Sequence, residues 1–171
     1  MGGAAAGALI GGIADGNWGQ GAAIGAAAGG LFKNDGTAVF DLDSGDTVAL
    51  TTYAGATRLV LEPTGMHERA RIHEAIEDLS SGGSTAMASG LQLAYEQAHK
   101  NLRRGSVNRV IVCSDGDANV GATAHGDMLT SIAKYAADGI TLSTLGFGMG
   151  NYKDHRMEQL ADKGNGNYSY I

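Results

Sequence analysis

The chain has 171 residues, 43% hydrophobic and 18% charged, a globular composition with room for one core and an appendage. Its net charge of −6 and the lack of any Lys/Arg stripe argue against a nucleic-acid partner. The single cysteine, Cys113, excludes an intramolecular disulfide and a cysteine-based zinc cage.

In chain order, the first segment to stand out is residues 1–36, of which 22 are Gly or Ala and whose only charges are Asp15, Lys33 and Asp35. Such residues bury little apolar area and build no core of their own. Gly3, Gly7 and Gly11 recur every fourth residue, as do Gly21, Gly25 and Gly29, with a turn-like break at Ala14-Asp-Gly-Asn-Trp-Gly-Gln20 between the rows. On helices these rows form faces without side chains, so the spacing predicts a helical hairpin with a glycine-lined seam. Arms of this length reach only about 20 Å, short of a membrane's roughly 30 Å hydrocarbon core, which favours self-association or surface association over spanning. The competing reading is a flexible Gly/Ala linker. No secretory signal is legible, since Gly and Ala follow Met1 without a basic stretch.

From residue 43 to 171 strand and helix patterns alternate. Residues 47–53 read as a strand and 57–61 as a shorter one, broken by Pro63-Thr-Gly65. Ile72, Ala75, Ile76 and Leu79 predict a helix over 66–79. Ser84 or Thr85 caps the next helix, whose inner face is Met87, Leu91, Ala94 and Ala98. Lys100, Arg103 and Arg104 suit its C-terminal dipole, and Gly105 follows. The apolar run 107–113 reads as a strand buried on both faces, with Cys113 as a small buried hydrophobe. A helix marked by Leu129, Ile132, Ala133 and Ala136 ends at Gly139, and 140–147 is the next strand. A last helix at Met157, Leu160 and Ala161 ends at Gly164, before a short strand at 167–171. This alternation predicts an α/β fold with an open, Rossmann-like, mostly parallel sheet and helices on both faces.

Ligands of such sheets bind beyond the carboxyl ends of the strands. Two stretches fall there: Ser114-Asp-Gly-Asp-Ala-Asn119 and Ser81-Gly-Gly-Ser-Thr85. Their hydroxyls and carboxylates suit a hard cation such as Mg²⁺ or Ca²⁺, although Asp115 and Thr85 also read simply as a turn residue and a cap. Other motifs fail. Asp115-x-Asp-x-Asn119 opens like an EF-hand loop, but Val120 and Gly126 stand where Gly and Glu are needed. Gly146-Phe-Gly-Met-Gly150 is followed by Asn151, not by the third glycine of a dinucleotide loop. His67, His73, His99, His125 and His155 form no pair at ligand spacing.

Four motifs occur in order: Gly45-Asp-Thr-Val-Ala-Leu-Thr-Thr-Tyr-Ala-Gly55, Gly82-Gly-Ser-Thr85, Asn108-Arg-Val-Ile-Val-Cys-Ser-Asp-Gly-Asp-Ala-Asn-Val-Gly121 and Leu142-Ser-Thr-Leu-Gly-Phe-Gly-Met-Gly-Asn-Tyr152. Together with Ala161-Asp-Lys-Gly-Asn-Gly-Asn-Tyr-Ser-Tyr170 they resemble the von Willebrand factor type A (VWA) domain, in its bacterial envelope-associated branch, over residues 43–171. The resemblance implies a metal-ion-dependent adhesion site, at which a bound divalent cation accepts an acidic residue of a protein partner. Thr85 matches that site's threonine ligand and Asp115 its aspartate.

The family's Asp-x-Ser-x-Ser motif, which follows its central first strand, is absent, and Asp41-Leu-Asp-Ser-Gly-Asp46 has the wrong spacing to replace it. By this reading residues 1–36 stand in place of the first strand and first helix, leaving a gap in the family's strand order 3-2-1-4-5-6. Residues 37–42 offer one filler, an antiparallel hairpin strand that would bring Asp35 and Thr37 to the rim. The favoured reading is a non-enzymatic protein-binding module at the bacterial cell envelope, with a degenerate adhesion site holding Mg²⁺ or Ca²⁺ weakly at best. The rival is a membrane-associated assembly protein that oligomerises through a glycine zipper in residues 1–36. No nucleophile–base pair can be named for an enzyme.

Overall fold

The computed structural model describes residues 6–12, 45–53, 57–79, 87–114, 122–146 and 154–170. In chain order these form strands β1 (Ala6–Gly12), β2 (Thr47–Thr52) and β3 (Arg58–Gly65), then helices α1 (Arg69–Glu77) and α2 (Met87–Lys100). Strand β4 (Asn108–Ser114), helix α3 (Ala122–Ala137), strand β5 (Ile140–Gly146), helix α4 (Asp154–Lys163) and strand β6 (Tyr168–Tyr170) follow. The strands make one sheet in the order β3-β2-β1-β4-β5-β6. All neighbours run parallel except β2 and β3. The open α/β class is the one predicted, and β4 and β5 are adjacent and parallel from Asn108 opposite Ile140 to Ser114 opposite Gly146.

The departure is β1. Residues 6–12 form the central strand, paired on one edge with β2 and on the other with β4. The helical hairpin is thus overturned for this stretch, which belongs to the same sheet as β2 to β6. Gly3, the row Gly21, Gly25 and Gly29, and residues 37–42 lie outside the described residues. The slot that residues 37–42 were to fill in antiparallel sense is taken by a parallel strand.

The physical reason lies in the repeat itself. A spacing of four is a multiple of the strand's period of two and also close to the helix's 3.6, so Gly7 and Gly11 share a face in either state. Interior glycines cost a helix about 1 kcal/mol each, whereas a strand between two partners has backbone hydrogen bonding on both edges. Tertiary pairing decides.

The edge strand β3 runs on through Gly65 rather than stopping before Pro63. Its register slips between Val48 opposite Thr64 and Leu50 opposite Leu61, which leaves Glu62 and Pro63 at the irregularity. An edge bulge tolerates proline because no ladder donor is needed there. The predicted helix over 66–79 is a 3-10 turn at Met66–Glu68 followed by α1.

The sheet is covered on both faces. On one, Met87, Leu91, Ala94 and Ala98 of α2 pack with Met128 and Ile132 of α3, Met157 and Leu160 of α4, and Val110, Val112 and Leu142 of the sheet. On the other, Ile72 and Ile76 of α1 pack with Val48, Leu50, Leu61, Ile111, Cys113 and Leu145. Asn108 organises the turn between α2 and β4. Its side chain accepts from Arg103 N–H at 3.2 Å and donates to the carbonyls of Arg103 and Ser106, each at 3.0 Å. After α4 the left-handed residue is Asn165, at φ 54°, rather than Gly164. Gly164 and Gly166 are needed for another reason: a Cβ at either would collide with Leu142.

Candidate functional site

The parallel strands converge at one rim. Thr52 lies opposite Gly11, Gly12 opposite Ser114, and Ser114 opposite Gly146. Tyr53 follows β2, is fully buried, and donates its hydroxyl hydrogen to the Cys113 carbonyl at 2.9 Å. Because β1 lies between β2 and β4, this bond ties together strands that are not neighbours. Gly90, in the first turn of α2, has no side chain where its Cβ would sit 2.5 Å from the Tyr53 Cβ. The start of α2, the end of β2 and the end of β4 therefore meet around one phenol.

Thr85 and Asp115 lie outside the described residues. Asp115 follows Ser114 directly in the chain, and Thr85 precedes Met87 by two residues, so each is attached to an element end that packs around Tyr53. Asp35 and Thr37 are also outside the described residues.

The described part of the rim does not supply a metal's donor set. Strand β1 ends in Gly11-Gly12, which carry no oxygen-bearing side chain where the family's motif begins. Among the described residues no group of three or more His, Cys, Asp or Glu could hold a metal ion. Cys113 is buried, and that burial pushes its thiol up to about 12, far from a reactive thiolate at neutral pH.

Two features escaped the sequence. His125 on α3 and His155 on α4 both contact the Gln159 amide, at 3.2 and 3.0 Å, forming a surface bridge between the helices. Sequence separation hid this pair. Between α2 and α3 lies a cavity of about 360 Å³, lined by residues that include Gln92, Tyr95, Asp127, Ser131 and Tyr135. The Tyr95 and Tyr135 rings stack in it with centroids 4.3 Å apart and planes 6° from parallel. An i,i+4 reading of each helix marks these positions only as half-buried, and no local pattern shows that they face one another.

The family model of the von Willebrand factor type A domain matches residues 36–171. The chain is 42% identical over 133 residues to YfbK, an uncharacterized protein of Escherichia coli strain K12; the match covers 78% of this chain and 23% of YfbK. The chain thus spans about a quarter of that relative's length. Among solved structures it is similar to the conserved hypothetical protein BatB of Bacteroides thetaiotaomicron, with a TM-score of 0.72 and 19% identity over 97% of this chain and 90% of that one. It is also similar to an aerotolerance-related membrane protein of Bacteroides fragilis, with a TM-score of 0.62 and 15% identity over 99% and 92%. At such identities the structural likeness is one of fold. The motifs, the strand order and the family match agree, and the chain belongs to the von Willebrand factor type A domain family.

Proposed function

We propose that the chain is a non-enzymatic protein-binding module of the bacterial cell envelope, contacting an acidic residue of a partner through the rim to which Thr85 and Asp115 attach. The observation that carries this reading is the buried Tyr53–Cys113 bond, which braces three element ends at the edge where α/β sheets bind ligands. The adhesion site is read as degenerate, because β1 ends in glycine where the family's first ligands stand. A Mg²⁺ or Ca²⁺ held there would have Thr85, which is neutral, and Asp115 as its only matched ligands, so binding is at most weak. The envelope assignment is supported by the likeness to the Bacteroides fragilis membrane protein. No helix of the described residues is long and apolar enough to cross a membrane. The non-enzymatic reading is supported by the family, whose domains are interaction modules.

A photo-crosslinking amino acid placed at residue 85 or 115 tests the rim, with exposed Glu74 on α1 as the control position. The expected result is a discrete adduct with one envelope protein from the rim positions only. Equal adducts from residue 74 would sink the assignment.

A further inference from the structure

We propose that the turn from α2 into β4 docks the domain on an anionic lipid surface, with Val107 entering the headgroup layer and Lys100, Arg103, Arg104 and Arg109 on the lipid phosphates. The turn lies at the base of the sheet, where Ala6, Thr47, Asn108 and Ile140 stand in register at their strand starts. The rim is at the other end, about 20 Å away for strands of this length. Among the described residues Val107 is the one large hydrophobic side chain that is exposed, at 55%. A lone exposed valine means little by itself, but this one is bracketed by four of the chain's 12 basic residues, all within 100–109.

The dipole of α2 accounts for only part of that cluster. Arg103 reaches across to donate to the Gly45 carbonyl ahead of β2, at 3.3 Å. Arg109 is on β4, and its Nε donates to the Thr141 hydroxyl of β5 at 3.4 Å. Lys100 and Arg104 are exposed, and among the described residues none of the four cations is in an ion pair. At this end Asp46 is buried and Asp138, at the turn into β5, is exposed, which leaves cations in excess. The Asn108 side chain holds the turn closed through Arg103 and Ser106, so Val107 is presented without a further ordering cost. Sign alone would admit an acidic protein segment or a nucleic acid; the valine selects the lipid. An apolar tip among cations gains by leaving water for the acyl boundary while the long basic side chains stay at the phosphates, whereas a row of carboxylates or a phosphate backbone gives it no apolar surface. The overall charge of −6 opposes any polyanion, so attraction must come from this face and fade with salt. Docked this way, the domain holds its rim away from the membrane. That setting rests on the envelope function proposed above, but vesicle binding does not involve residues 85 or 115, so either can fail alone.

Flotation of the full chain with vesicles of phosphatidylglycerol and phosphatidylcholine in equal parts, or of phosphatidylcholine alone, tests the surface. Binding to the anionic vesicles only is expected, falling as sodium chloride rises. Arg104→Glu, at an exposed turn position, keeps the fold, which circular dichroism verifies, and should weaken binding on the order of twentyfold. Arg58→Glu makes the same charge change at an exposed position at the rim end of β3 and should weaken it roughly twofold or less. Val107→Ser should weaken binding severalfold at unchanged charge. Because Cys113 is buried, a nitrobenzoxadiazole label on Val107→Cys reports that position alone, and its emission should shift to the blue on the anionic vesicles. No binding, equal binding to phosphatidylcholine, an equal loss in Arg58→Glu, or a label that stays in water would each overturn the proposal. Polyglutamate or duplex DNA bound as tightly as the vesicles, with Val107→Ser without effect, would overturn it in favour of a general polyanion face.

Discussion

Tyr53 and Cys113, 60 residues apart in sequence, are joined by a 2.9 Å hydrogen bond that crosses from β2 to β4 past the intervening β1. Strand β1 ends in Gly11 and Gly12, which pair with the ends of β2 and β4. Tyr53→Phe is expected to lower stability by about 1–2 kcal/mol, since a buried carbonyl loses its donor. Gly90→Ala should cost about 1–3 kcal/mol by pushing α2 off Tyr53. Urea unfolding followed by far-ultraviolet circular dichroism measures both. A Tyr53→Phe protein as stable as the original would show that the bond adds nothing.

Strand β1 makes residues 6–12 part of the sheet. Leu9→Pro removes a ladder donor in the centre of the sheet and is expected to cost about 3 kcal/mol or more, enough to abolish a cooperative unfolding transition. A glycine-zipper arm outside the domain would leave that transition unchanged, so calorimetry of this one variant separates the two arrangements.

Asn108 closes the turn that aims β4 at the rim. Asn108→Ala leaves two part-buried carbonyl acceptors and one N–H donor without their partner, at an expected cost of about 1–2 kcal/mol. Asn108→Asp keeps the acceptor and loses both donations, so it should fall between the two. Denaturant midpoints check the ranking.

Cys113 carries a pH signature. Burial raises its thiol from the ordinary 9.0 to about 12, so the folded state holds the proton more tightly than the unfolded chain does. The associated stability is fully present below pH 9.0 and is lost as the pH rises from 9.0 toward 12. Within that window stability should fall by up to about 1.4 kcal/mol per pH unit from this group, a slope that Cys113→Ala lacks. At pH 8 the native thiol should react with iodoacetamide only as fast as the domain opens. Rapid labelling of folded protein would contradict this.

The sequence by itself determined the elements whose signal is local. The apolar runs of β4 and β5 are buried wherever they pair, and the spacing of Met87, Leu91, Ala94 and Ala98 allows only one helical face. Those patterns, with the ordered motifs, carried the parallel α/β class and the family. Asp115 and Thr85 were legible as candidates because motif and strand end coincide in the chain. The identity of the central strand was not legible, because Gly7 and Gly11 at a spacing of four satisfy helix and strand alike. Only the two open edges of β2 and β4 choose between them. The cavity at Tyr95 and Tyr135, and the His125–Gln159–His155 bridge, were equally hidden. Each joins residues on different helices, and the packing of those helices on a shared sheet, which no local periodicity encodes, brings them together.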